Sequence, residues 1–315
     1  NAHMEYLNWT NYIVMKILLT GDIQFGRDYW DINKDCPNDL LKSVTPYFKE
    51  VDLIIFNLES VISDTDILGT EDKVSGKPYH ILATPSPLQY LRSMTNKPII
   101  VATVNNHTFD YGLKGYRNTL KSLRDSGFFF THGYQYLSFN NVIFFDSTTH
   151  WTELESLKRR HAHINDLWKD NCWFIDMNDD KSIKHAISTT KTTRDKHPNK
   201  IIIMCIHWGK NWVGDMSADF CKEEIFAKSL IDSGCNIVFG SGAHHIVPKT
   251  YVSYNSGLII YGLGDLSGDF MIKSSFNSPE SLSLIYDTRT NEVTKIEFTK
   301  SFNQDGCGIP IPKNT

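Results

Sequence analysis

The chain has 315 residues, a net charge of -4, 41% hydrophobic and 22% charged residues. That length supports a full core in one or two domains, and the mild negative charge excludes a general attraction to nucleic acid or anionic membrane. No apolar run approaches the roughly 20 residues of a bilayer-crossing helix, and six cysteines without a C-x-x-C pair exclude a disulfide framework or zinc knuckle.

Residues 1–12, in which Asn1 to His3 precede Met4, read as a tag remnant and N-terminal extension without the basic-then-apolar pattern of a secretory signal. IVMKILLT then predicts a buried strand ending on Gly21-Asp22. A helix is expected from Asn38 to Glu50, then the strand VDLIIFN and a polar loop over 60–78. Pro85 to Met94 suits a helix opened by proline at its first turn. A strand from Lys97 to Val104 and a helix from Leu113 to Ser126, stopped by Gly127, follow. Short strands at 128–130 and 141–145 lead into 147–176, which breaks the alternation and reads as a helical insertion. A helix from Asp180 to Lys196, the strand IIIMCIH, a helix from Ala218 to Ser233 and the strand CNIVFG resume it. From Val247 onward, TYVSY, GLIIYGL, SLSLIYD and VTKIEFT read as antiparallel hairpins beside the sheet. The tail after Phe302 lacks periodicity and is expected to run over the surface. Cys205 and Cys235 fall within apolar runs and read as buried thiols, which suits a reducing, cytoplasmic setting.

The chemistry lies in how the strands end. IVMKILLTGD, IIFNLE, IIVATVNNH, IIIMCIHWG and IVFGSGAHH each run from apolar residues into groups that bind metals or move protons. In an α/β sheet such ends meet at one crevice. Taken singly, each has a plain structural reading. Asp22 is an Asx turn or cap, Glu59 a carboxylate capping a nearby loop, and His107 a hydrogen-bonded loop histidine. Together they form a mixed oxygen and nitrogen set, suited to Mn, Fe or Zn rather than Ca or Mg. Asn57 shares a strand face with Glu59. Asp110, three residues after His107, is placed to orient its imidazole. Of the pair His244-His245, which follows the turn Gly240-Ser241-Gly242, only His244 is expected to face the site.

With these residues in view, GDIQFGR, FNLES, VNNHTFDYG, IHWG, GSGAHHI and IIYGLGD, in this order, resemble the CapA/PgsA family. That family is associated with poly-γ-glutamate capsule synthesis and is related to calcineurin-like metallophosphoesterases. The resemblance spans roughly residues 14 to 270 and implies a four-layer α/β/β/α sandwich over 13–275, with 276–315 packing on the same domain. It implies metal ligands at Asp22, Glu59, Asn106, His207 and His244, and catalytic roles for Asp22, His107, Asp110 and His244. Arg27, Asn57, Asn105, Trp208 and Ser241 are the substrate-contact candidates. Relatives with a full two-metal centre carry Asp-x-His where this chain has Gln24, and a histidine where it has Ser241. Asn211 stands in place of a glutamate, and the closing Leu-Gly-Asn reads Leu-Gly-Asp265.

One divalent metal or none is therefore expected. The implied function is a metal-assisted hydrolase or transferase acting on an anionic, peptide-like or phosphorylated substrate. The alternatives are a cofactor-independent peptide α-carbon epimerase using the same pocket, and a non-catalytic accessory subunit of a capsule polymer complex. A capsule or peptide-modification enzyme is the expected partner. Trp151, Trp168 and Trp173 mark a candidate lid, their plainer role being to anchor the insertion to the core.

Overall fold

The computed structural model describes residues 14–25, 44–64, 68–74, 80–149, 171–209, 220–267, 280–302 and 308–312. It is a mixed α/β fold with two large sheets. In the first, the apolar runs Lys16–Thr20, Leu53–Asn57, Ile99–Ala102 and Phe129–Phe130 lie parallel in that order. Glu280–Asp287 pairs antiparallel with the other edge of Lys16–Thr20 and carries Glu292–Phe302 and Gly308–Pro312 beyond it. In the second sheet, Trp173–Phe174, Val142–Thr148, Ile201–His207, Ile237–Ser241 and Gly257–Ile260 are parallel neighbours. Leu137–Phe139 and Tyr251–Tyr254 pair antiparallel with it.

These strands are nearly continuous apolar runs because both of their faces are covered. Alternate residues of the two sheets, including Ile17, Leu19, Ile55 and Ile100 from one and Phe144, Ile203, Phe239 and Ile260 from the other, share one buried cluster. The opposite face of the first sheet packs Leu18, Ile54, Phe56 and Val101 with Phe48, Leu88, Leu91 and Leu123 of the helices Thr45–Lys49, Ser86–Ser93 and Gly112–Asp125. The opposite face of the second packs Ile202, Met204, Val238 and Ile259 with Ala186, Phe226 and Leu230 of the helices Asp180–Lys196 and Cys221–Asp232. Period-2 alternation divides each strand between two apolar layers, so a one-residue slip would exchange them.

Several expectations need correction. Gly257–Ile260 forms an antiparallel hairpin with Tyr251–Tyr254, but within the second sheet, where its other edge pairs parallel with Ile237–Ser241. Glu280–Asp287 and Glu292–Phe302 do form a hairpin, but within the first sheet. The tail returns as an edge strand, Gly308–Pro312. Its prolines fit there, because an edge strand leaves some N–H positions unpaired. Ser147 and Thr148 complete a strand, and Trp173 lies in another, buried edge-on against Phe145. That is the anchoring role. Residues 150–170, with Trp151 and Trp168, lie outside the described residues, as do Arg27, Asn211 and the first half of the expected helix 38–50. Cys172, Cys205 and Cys235 are free and buried, and Cys221 is free and exposed. No described helix is long and apolar enough to cross a membrane.

A buried carboxylate ringed by three imidazoles

The first strand can enter the site because Gly21 has no side chain. A Cβ there would lie 2.3 Å from the Gly264 carbonyl oxygen. Without it, the Asp22 N–H donates to that oxygen at 2.9 Å, and Asp22–Ile23 runs beside Asp265–Ser267. Ile23, Phe25, Leu58 and Leu266 all enter the helix-covered apolar cluster. Alternation then places Asp22, Asn57 and Glu59 on the opposite side. The Asp22 carboxylate accepts the Gly242 N–H at 2.8 Å, joining the first strand to the turn after Ile237–Ser241.

Asn105 builds the next part. Its side-chain amide donates to the Asn57 carboxamide oxygen at 3.1 Å and to the Leu58 carbonyl at 2.8 Å, and its own oxygen accepts the His107 N–H at 3.0 Å. All its hydrogen-bonding groups are thus spent on shaping the turn. Asp146, from the second sheet, accepts the N–H groups of Thr103 and Val104 at 2.6 and 3.1 Å and secures the start of that turn. Asp110 accepts the Ile81 N–H and lies 2.7 Å from His107 Nδ1, which turns Nε2 inward.

Glu59 is the centre of the site. Its Oε1 lies 3.8 Å from His107 Nε2, 4.0 Å from His207 Nε2 and 3.8 Å from His244 Nε2. Each ring is held from behind: His107 by Asp110, His207 by the Ser241 hydroxyl at 3.2 Å, and His244 by Asp265 at 2.8 Å. Ligand atoms of Asp22, His244 and Asp265 all lie within 4.8 Å of one another. Gly242 makes room for His207, since a Cβ there would lie 2.7 Å from Cε1, at a φ of +90°. Gly242→Ala is therefore expected to cost about 1–3 kcal/mol of stability in a urea titration and to shift the His207 ring resonances.

The electrostatics are those of an acidic site out of water. Burial and the adjacent Asp265 carboxylate push Asp22 up to about 7, against the pull of His244, the Gly242 N–H and Asn57. Burial raises Glu59 well above the ordinary carboxylate range, reinforced by Asp22, Asp265 and Asp110 and opposed by His244. Burial works against the His244 cation, but Asp265, Glu59 and Asp22 outweigh it and hold the imidazolium up to about 10.

These groups fit a divalent cation. Neither Glu59 oxygen accepts a hydrogen bond from the described residues, although both are buried. Such a group is costly unless a charge meets it. Carboxylate oxygens and imidazole nitrogens together are the donor set of Mn, Fe or Zn.

Among the substrate-contact candidates, Asn57 and Asn105 bond to each other, and Ser241 supports His207. Trp208 packs in the outer apolar cluster of the second sheet, its indole donating to the Tyr261 carbonyl at 2.8 Å. Asn106, 8% exposed, is the outermost of the metal candidates. Asp265 was absent from the expected ligand set. The run GLIIYG ending on Leu-Gly-Asp obeys the same strand-end logic as the other five and was its signal.

Over residues 16–269 the sequence matches the family described as bacterial capsule synthesis protein PGA_cap. It is 22% identical over 302 residues to the capsule biosynthesis protein CapA of Bacillus anthracis, covering 94% of this chain and 69% of that protein. It is 26% identical over 248 residues to a probable polyglutamine synthesis accessory protein of Mycobacterium tuberculosis, covering 76% and 62%. The PGA biosynthesis protein CapA of Bacillus subtilis is 22% identical over 316 residues, covering 96% and 75%. The chain thus spans between 62% and 75% of the length of these relatives. Among solved structures, a hypothetical protein from Thermus thermophilus superposes with a TM-score of 0.42 at 10% identity, over 95% of this chain and 98% of that one. With its matched region running from the first strand through Asp265, the chain belongs to the bacterial capsule synthesis protein PGA_cap family.

Proposed function

We propose that this protein is a metal-assisted hydrolase or transferase acting on an anionic, peptide-like or phosphorylated substrate in capsule-type polymer metabolism. We further propose that its two sheets and flanking helices form the four-layer α/β/β/α sandwich of the calcineurin-like metallophosphoesterases. The shared apolar cluster between the sheets, with helices packed on their other faces, supports that architecture. The observation that carries the chemistry is Glu59, a buried carboxylate without a hydrogen-bond donor among the described residues and with three imidazole nitrogens at 3.8–4.0 Å.

In this reading Asp22, His244 and Asp265 hold one cation, with Glu59 and His207 beside it. Asn106 completes the candidate set at the outer edge. A cation bound there would supply Lewis acidity toward a carbonyl or phosphoryl oxygen and lower the pKa of a bound water. His107 handles the proton. Asp110 holds its Nδ1–H, so Nε2 faces the site and can deliver a proton to a leaving group or remove one from a nucleophile. Ser241 positions His207 and acts through it, while Asp265, besides its place at the cation, orients the His244 ring.

Removing the metal tests this. Protein stripped with EDTA is expected to lose hydrolytic activity toward γ-glutamyl oligomers and aryl phosphates and to regain it with Mn2+. Activity toward either substrate that is unchanged by stripping would sink the proposal.

A second reading rests on the two His–Asp dyads. His107–Asp110 and His244–Asp265 both present Nε2 3.8 Å from Glu59 Oε1, an arrangement that also suits paired acid and base at a peptide α-carbon. Deuterium uptake from solvent at that carbon by metal-free protein would favour it.

A further inference from the structure

We propose that Gln24 is a substrate-contacting residue that reads the neutral amide groups of a bound peptide-like chain. The inference rests on the metal-assisted reading for its location, and on Gln24 itself for its chemistry.

Gln24 is 2% exposed, and neither its carboxamide nitrogen nor its carboxamide oxygen has a hydrogen-bond partner among the described residues. Leaving both ends of a buried amide unsatisfied costs more than leaving one, because each group loses water without replacement. Its backbone is not loose. The Gln24 N–H donates to the Ser267 carbonyl at 2.9 Å, and the next N–H, of Phe25, donates to the Ser60 hydroxyl at 3.0 Å. Ile23 and Phe25 on either side both enter the helix-covered apolar cluster. In extended chain this places Gln24 on the side that carries Asp22, two residues and roughly 6–7 Å farther along.

The missing partner must therefore offer both a donor and an acceptor near the acidic cluster. A phosphate or carboxylate offers acceptors only and would leave the Gln24 oxygen unmet. A metal ion would meet the oxygen and leave the nitrogen unmet. In an extended peptide-like chain the N–H and C=O of one residue, which belong to successive trans amides, point the same way and can meet both ends. A polar residue kept unsatisfied in the unliganded fold is a common cost of a binding site.

The test compares two probes by titration calorimetry on the full chain: γ-linked triglutamate, and tricarballylate as an anion of similar charge without amides. Wild-type protein should bind triglutamate more tightly. Gln24→Met should weaken triglutamate at least tenfold and leave tricarballylate within twofold. Its Mn2+ affinity, read by electron paramagnetic resonance, should stay within twofold, and its Tm should hold or rise because an apolar chain replaces an unsatisfied one. Gln24→Leu repeats the comparison if the first variant fails to fold.

A fall in Mn2+ affinity would make Gln24 a metal ligand and overturn the inference. A fall in Tm of several degrees in both variants would overturn it too, by showing that Gln24 has only an internal partner such as a buried water. Triglutamate that fails to bind wild type, or binds the variants equally, has the same consequence. Failure of Mn2+ to bind wild type would instead sink the metal reading and leave the triglutamate comparison to judge Gln24.

Discussion

Glu59→Gln is expected to lower Mn2+ affinity at least about a hundredfold while raising the thermal stability of the metal-free protein at neutral pH. The opposite signs share one cause. Burial, with Asp22, Asp265 and Asp110 nearby, lifts the Glu59 pKa well above 4.5 in the folded chain. A carboxyl whose folded pKa is raised binds its proton more tightly folded than unfolded. Its contribution is fully present below the unfolded pKa and is lost as pH rises toward the folded value. In wild type, metal-free stability should therefore fall as pH increases from about 4.5. Glutamine does not titrate, so the gap between variant and wild type should widen with pH across a series of thermal melts. Asp22, raised to about 7, carries a slope of the same sign between roughly pH 4 and 7 in both proteins. Adding Mn2+ should oppose the loss in wild type, since a cation favours the ionised carboxylates, and should do little for the variant. A variant that melts lower than wild type at pH 8 without metal would mean that Glu59 has internal partners, and the site assignment would fall.

Asp146→Ala is expected to destabilise the protein by about 2–6 kcal/mol, at 1–3 kcal/mol for each buried N–H left without an acceptor. The two donors are Thr103 and Val104, at the point where the strand Ile99–Ala102 becomes the Asn105–His107 turn. Asp146 comes from the other sheet, so the change loosens the joint that sets His107 against Glu59. Asp146→Asn keeps an acceptor oxygen and should lose less than half as much. Burial raises the Asp146 pKa to about 7 despite those hydrogen bonds, so its carboxyl favours folding below about pH 4 and that contribution is lost as pH rises to about 7. Alanine and asparagine do not titrate, so the loss of each variant relative to wild type should be larger at pH 6 than at pH 8. Urea titrations at pH 6 and pH 8 measure both effects. Equal losses for Ala and Asn would show that the carboxylate oxygen is not the anchor.

Much of the architecture was legible from local pattern. The helix Asp180–Lys196 and the strands Leu53–Asn57 and Ile201–His207 fall where the periodicity placed them. Runs such as IIIMCI can be satisfied only by burial on both faces. Misjudged elements were those whose place in a sheet is set by strand pairing rather than by their own residue pattern. Nothing within Gly257–Ile260 reveals that it pairs parallel with Ile237–Ser241, nor does the tail reveal its edge pairing with Glu292–Phe302.

At the site, sequence by itself determined the kinds of group available. Apolar strands ending on Asp22, Glu59, His107, His207 and His244 supply carboxylates and imidazoles at sheet edges, because a buried strand must finish before a charged side chain can be accommodated. Only the tertiary structure decided what each group does. Asn105 and Ser241 proved to be braces, Trp208 a core residue, and Asp265 a member of the acidic cluster. The reason is geometric. A side chain's chemistry is fixed by its covalent structure, but whether it faces a substrate or a neighbour depends on contacts across more than two hundred residues, such as Asp22 with Gly242.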